Sequence, residues 1–490
     1  MPKGKGLFIK KSIKSLLDEA QETRHGLKRS LGAINLTAMG IGAIIGAGIF
    51  VLTGPAAAEY AGPGILLSFI FAAIICLFAA LCYAEFASLI PISGSAYTYA
   101  YATMGEFIAW IIGWGLTMEF IFSASTVSVG WSAYFISLLQ DLGITFPQQF
   151  AAAPISYEVS TGWTQTGTIM NLPAMLIVAL IGLLVAVGIK AAASFNNLMV
   201  IVKLGAIALF VACGVAFVNM DNLTPFIPEN TGTFGEFGLS GVFRGAGVIF
   251  FAFIGFDALS TMAQECRNPQ KHLPIGMLGS LGISTLVYII IGFVMLGMVS
   301  YTMLNVPDPI SVAINALGPK FIWLRFVLKL AILSGLTSVA LVMILGQSRI
   351  FYTMSNDGLL PKSFAKISDR FHTPFFSTIL VTLACMIIAG IFPVAILGQL
   401  TNMGALLAFA IVCFGILVLR YKQPTLHRPF KTPFVPWIPL AGTLVCIIQM
   451  VVMPGVTWLQ FIIWMAIGML IYFKYSVKNS KARLALVKKK

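Results

Sequence analysis

Between about Leu36 and Phe473 the sequence is a succession of apolar runs, each near the ~20 residues that a helix rising ~1.5 Å per residue needs to cross ~30 Å of hydrocarbon. In that medium each backbone N–H and C=O must find its partner within the protein, so runs of this length fold as helices. Only 10% of the 490 residues are charged and 58% are hydrophobic, whereas soluble domains carry about a quarter charged residues. A soluble multi-domain enzyme is excluded, and the expected fold class is an all-α polytopic membrane protein.

Pro, Gly and charge divide the apolar sequence into twelve candidate spans, near 35–53, 64–86, 106–137, 172–189, 196–218, 241–263, 275–300, 321–353, 375–393, 396–420, 434–454 and 457–475. Two run past 30 residues, which implies tilt or an extension beyond the membrane. With the amino terminus in the cytoplasm, all Lys and Arg except Lys203, Arg244, Lys320, Arg325 and Lys329 fall on the cytoplasmic side, eight of them before Leu31 and seven after Tyr472. That asymmetry places both termini inside. The expected organisation is a cytoplasmic segment 1–31, a ten-helix core 32–420, two further helices in 421–475 and a basic tail 476–490. Leu7, Phe8, Ile9, Ile13, Leu16 and Leu17, with Lys10, Lys11 and Lys14 between them, have helical spacing that fits either an amphipathic helix on the inner membrane surface or a solvated tail. Met1–Ser30 is too charged for a signal peptide, so the first apolar helix is expected to stay and anchor the chain.

The formal charge of +14 is confined to short loops and the two ends, so it is a topology signal and not a nucleic-acid stripe. Cys76, Cys82, Cys213, Cys266, Cys385, Cys413 and Cys446 show no paired metal spacing and read as small apolar packers. His25, His272, His372 and His427 all lie in cytoplasmic segments and point to no metal site. No catalytic grouping of His, Cys or paired acids lies in the spans, and no G-x-x-x-x-G-K loop occurs, so neither an enzyme nor a cofactor is expected.

Span 1 carries four glycines between Gly40 and Gly48. Glycine costs a helix interior about 1 kcal/mol relative to alanine. Two readings follow: close helix packing, for which Gly42 and Gly46 have the spacing, or an unwound segment whose free amides face a cavity and hold an anionic group. Span 6 contains Phe250-Phe251-Ala252-Phe253-Ile254-Gly255-Phe256-Asp257, aromatics around one glycine followed by an acid. Spans 1 and 6 open two successive five-helix sets, and interrupted helices at matching positions indicate a transporter of inverted repeats with its site near the midplane. Glu119, Lys203 and Asp257 remain deep in apolar runs, where ionisable groups serve a pathway or a partner. Lys203 has no acid within a helical turn, which leaves a coupling group whose proton comes and goes, or a structural ammonium on helix-end carbonyls.

At these residues the sequence resembles the amino acid–polyamine–organocation superfamily, and within it the bacterial relatives of cationic amino acid transporters. The segments that carry the resemblance are Gly40–Phe50, Cys82–Tyr101 (CYAEFASLIPISGSAYTYAY), Phe195–Lys203, Phe250–Asn268 within FFAFIGFDALSTMAQECRNP, Gly346–Pro361 (GQSRIFYTMSNDGLLP) and Arg428–Pro436 (RPFKTPFVP). The resemblance implies twelve transmembrane helices, a LeuT-like core of five plus five inverted helices, and breaks in helices 1 and 6. It also implies that the backbone around Ile44, Gly46, Ala47 and Gly48 seats the substrate α-carboxylate and part of its amine. The carbonyls of Phe251, Ala252 and Ile254 then take the rest of the amine, and Phe251 is the aromatic gate. Lys203, with Glu119 and Asp257, is implicated in proton coupling, and Leu336 limits side-chain volume in favour of small neutral substrates. Close relatives commonly read Gly-Thr-Gly where this chain has Gly46-Ala47-Gly48, so a hydroxyl is lost while the amide stays.

The expected function is import of an L-amino acid, small or branched and neutral, by proton symport with alternating access. Exchange of one amino acid for another and carriage of cationic ones are the alternatives. The expected partners are the amino acid, protons, membrane lipid and a small single-helix accessory protein, in a bacterial plasma membrane.

Overall fold

The computed structural model describes residues 7–12, 16, 29–46, 48–158, 162–306, 309–451, 453 and 455–488. Ala47, His25 and most of the amino-terminal segment, Ile13, Lys14 and Leu17 among it, lie outside the described residues. Each of the twelve predicted runs is helical. Eight helices are long and apolar enough to cross a membrane, and four shorter apolar helices, Ala33–Ile44, Leu172–Val187, Phe375–Ile391 and Trp437–Val451, occupy the runs numbered 1, 4, 9 and 11. The two runs predicted to exceed 30 residues become Glu106–Asp141 and Ile322–Asn356.

These two, spans 3 and 8, form the centre of the molecule and pack along each other. In the most apolar stretch of span 8, 89% is buried, against 22% for span 12. Span 3 tolerates that burial despite its hydroxyls because they bond locally: Ser125, Thr126 and Ser128 each donate to the carbonyl four residues back, at 2.8, 2.7 and 2.7 Å. Outer helices instead turn apolar side chains outward. Leu176, Leu180 and Leu183 on Leu172–Val187, and Leu444, Ile447, Ile448 and Val451 on Trp437–Val451, are exposed at helical spacing, a surface that suits lipid. The loop after span 3 folds into a short antiparallel hairpin, Ile155–Glu158 with Gly162–Gln165, in which Ile155 pairs with Gln165.

Residues 7–12 of the amino-terminal segment lie against the start of span 3: the carbonyls of Ile9 and Leu7 accept the amides of Glu106 and Phe107 at 2.9 and 3.1 Å. The first amides of a helix have no partner within it, and at span 3 this segment supplies acceptors for two of them. The Phe8 ring packs edge-on against Phe107, and Lys11 pairs with Asp357 beyond span 8. The Glu106 side chain in turn fixes the other terminus, since it accepts from Tyr101 Oη at 2.9 Å, Tyr472 Oη at 3.1 Å and Arg483 Nε at 2.6 Å.

Candidate functional site

Span 1 is broken where its glycines are densest. The helix Ala33–Ile44 stops and the chain resumes as helix only at Gly48, in a π-helical turn Gly48–Leu52. Between them the Gly46 N–H meets no acceptor among the described residues. Span 6 breaks in the same way: Gly238–Ile249 continues as a 3-10 turn Phe250–Phe253, Gly255 takes φ +128, and the chain goes on as a 3-10 helix Asp257–Glu265.

The two breaks touch. A Cβ on Gly48 would stand 2.2 Å from Ala252 Cβ and 2.3 Å from its Cα, and one on Gly255 would meet the Ala43 backbone at 3.0 Å. Gly255 has a second reason to be glycine, since side chains avoid its positive φ. The span 1 glycines divide by position. Gly40 and Gly42 admit Ser280 of span 7 and Asn196 of span 5 to the helix surface, while Gly46 and Gly48 belong to the break.

Around the breaks lies a cavity of about 10 Å³, lined by Ala43, Ile44, Gly46, Gly48, Phe251 and Ile254 from spans 1 and 6, and by Ser123, Val127 and Val339 from spans 3 and 8. That is room for about one water molecule, so an occupant the size of an amino acid needs the walls to move apart. One side offers backbone amides and carbonyls from interrupted helices; the other offers mostly aliphatic side chains. Of the residues the sequence pointed to, Ile44, Gly46, Gly48, Phe251 and Ile254 line it, and Phe251 is 9% exposed. Ala252 and Leu336 do not. Leu336 is wholly buried, and span 8 presents Val339 instead, one turn later. The Ala252 carbonyl is turned toward Tyr288.

Tyr288 carries no signal in the sequence, a tyrosine in the apolar span 7. Its hydroxyl stands 2.7 Å from the carbonyl oxygens of both Ile44 and Ala252, the last turns on either side of the two breaks. One hydroxyl proton serves one carbonyl at a time, so Tyr288 ties whichever break it donates to and leaves the other to a second donor.

Lys203, wholly buried on Ile189–Gly214, places its Nζ within hydrogen-bond distance of the carbonyls of Ile41 and Gly42 at 3.1 Å each, of Ile45 at 2.9 Å and of Ser338 Oγ at 3.0 Å, four acceptors that share its three N–H bonds. The last carbonyls of a helix lack partners and carry the negative end of its dipole, so a lysine is suited to that place. It caps the first half of span 1 and ties spans 1, 5 and 8 at one point. Glu119 on span 3 and Asp257 at the span 6 break are also wholly buried, and their carboxyl groups lie side by side.

Toward the other end of spans 6 and 8, Arg349 Nη2 donates to Glu265 Oε1 at 3.0 Å, both side chains fully buried. The chain ahead of span 1 packs at the same place: Ser30 and Leu31 N–H donate to the Glu265 carbonyl at 3.0 and 3.1 Å. Removing one partner of a buried pair leaves an uncompensated charge and costs about 3–5 kcal/mol. Arg349→Met is accordingly expected to lower the stability of the solubilised protein by about that much, read as a fall in thermal unfolding temperature; an unchanged temperature contradicts a stabilising role for the buried pair.

A profile of the amino acid permease family matches residues 31–473. The chain belongs to the amino acid permease family. Among its relatives, the methylthioribose transporter of Bacillus subtilis (strain 168) is 42% identical over 97% of this chain and 98% of that protein. The branched-chain amino acid permease BcaP of the same organism is 43% identical, again over 97% and 98%. The cationic amino acid transporter 4, vacuolar, of Arabidopsis thaliana is 33% identical over 85% of this chain and 68% of its own length. The relatives of this permease are thus named as transporters and permeases, not enzymes, and the resemblance to the superfamily and its cationic branch holds.

Proposed function

We propose that this permease is a secondary active transporter that imports small or branched neutral L-amino acids with a proton by alternating access. The observation that carries the reading is the cavity where the two broken helices meet. A zwitterion has a carboxylate for free amides at a helix start and an ammonium for carbonyls at a helix end. In the proposal the carboxylate sits on Gly46, Ala47 and Gly48, the ammonium on the carbonyls of Phe251 and Ile254, and Phe251 closes over it. The aliphatic lining of Val127, Ile254 and Val339 favours a branched or short side chain, and among the described residues no acid lines the cavity to receive a cationic one. All twelve helices cross in this reading, ten as two inverted sets of five, with both termini in the cytoplasm.

Lys203 is the proposed coupling group. While it holds Ile41, Gly42 and Ile45, span 1 is pinned to spans 5 and 8; loss of its proton or a move of its ammonium loosens that tie and lets the inner side open. Glu119 and Asp257, side by side at the break, are proposed to relay the proton. The substrate class is tested by competition of labelled leucine uptake with each common amino acid and with methylthioribose. Competition by valine, isoleucine and alanine over arginine is expected. Competition by methylthioribose alone would move the substrate class from amino acids to thio-sugars.

A further inference from the structure

Span 3 carries a cluster of hydroxyls, and most are spent on their own helix. Thr117, Ser125, Thr126 and Ser128 each donate to the carbonyl four residues back, between 2.7 and 2.9 Å. Ser123 does not. It is 3% exposed, lines the cavity, and its hydroxyl has no hydrogen-bond partner among the described residues. Val127, one turn later, shares its face, and Val339 of span 8 completes that side. The hydroxyl opens onto the cavity, and in an otherwise aliphatic wall its partner, water or substrate, has to come from whatever occupies that space.

We propose that Ser123 is a specificity-determining residue that adds hydroxyl-bearing amino acids of branched shape, threonine above all, to the substrates of this permease. The inference rests on the functional reading above: with the substrate's carboxylate and ammonium held by spans 1 and 6, its side chain faces spans 3 and 8. Threonine and valine have nearly the same shape and differ by one hydroxyl for one methyl, so the pair isolates the contact. Ser123 Oγ donates to or accepts from the threonine hydroxyl, while Val127 and Val339 pack on its methyl. For valine the same hydroxyl stays unpaired.

The test is competition of labelled leucine uptake by threonine and by valine in proteoliposomes of the wild type, Ser123→Ala and Ser123→Thr. The ratio of inhibition constants is the readout, because a general loss of activity cancels from it. Ser123→Ala is expected to shift the ratio against threonine about tenfold, the size of one hydrogen bond, and Ser123→Thr, which keeps the hydroxyl, to restore it toward the wild type. The same ratio in wild type and Ser123→Ala overturns the proposal and leaves amino acid transport standing. A wild type that takes up no amino acid overturns the functional reading, and this proposal with it.

Discussion

Lys203→Ala is expected to abolish concentrative uptake, with accumulation in proteoliposomes falling to that of protein-free vesicles, while substrate binding is weakened but measurable. The substitution removes one ammonium from three carbonyls and a hydroxyl at the end of the first half of span 1, and charged hydrogen bonds of this kind are worth about 1.5–3 kcal/mol each. A purely structural cap and a coupling group make the same prediction for alanine, so the decisive companion is Lys203→Arg. Arginine keeps the charge and the donors but does not release its proton. A structural cap therefore tolerates it, and a coupling lysine does not. The expected result is binding without accumulation in Lys203→Arg. Concentrative uptake with the pH dependence of the wild type in either variant would falsify the coupling role.

Gly48→Ala is the second large effect. The added methyl would stand 2.2–2.3 Å from Cβ and Cα of Ala252, where ordinary contact begins at 3.4 Å. Neither neighbour is a flexible side chain, so the two breaks have to move apart by about an ångström. Overpacking of this kind costs about 1–3 kcal/mol, and because the strain falls where the substrate is proposed to sit, it converts to a loss of affinity of about 5- to 150-fold. Binding of leucine to the purified variant, compared with wild type, measures it. An unchanged affinity contradicts placing the substrate at this contact.

What the residues disclosed in advance was mostly local. Four glycines within nine positions weaken a helix wherever it lies, and the break in span 1 falls among them; Gly255 between aromatics marks the break in span 6. Lys203 stood out because nothing near it in sequence offers a counter-charge, and the structure gives it carbonyls instead of an acid. Tyr288, Ser123, Val127 and Val339 were not legible, because each matters through a partner at least 36 residues away or through the rotation of its helix toward the cavity. The same rotation replaces Leu336 with Val339 at the cavity wall. The Arg349–Glu265 pair escaped notice for a related reason: its members stand 84 residues apart in the chain and meet only where spans 6 and 8 pack.

Proton-coupled import of a branched amino acid is the central claim, and its direct measurement is labelled leucine uptake into proteoliposomes of the purified permease with and without an inward proton gradient. The account predicts accumulation above the outside concentration only while the gradient lasts, and its collapse on adding a protonophore. Uptake that ignores the gradient and requires amino acid preloaded inside contradicts it, making the permease an exchanger and Lys203 a structural cap.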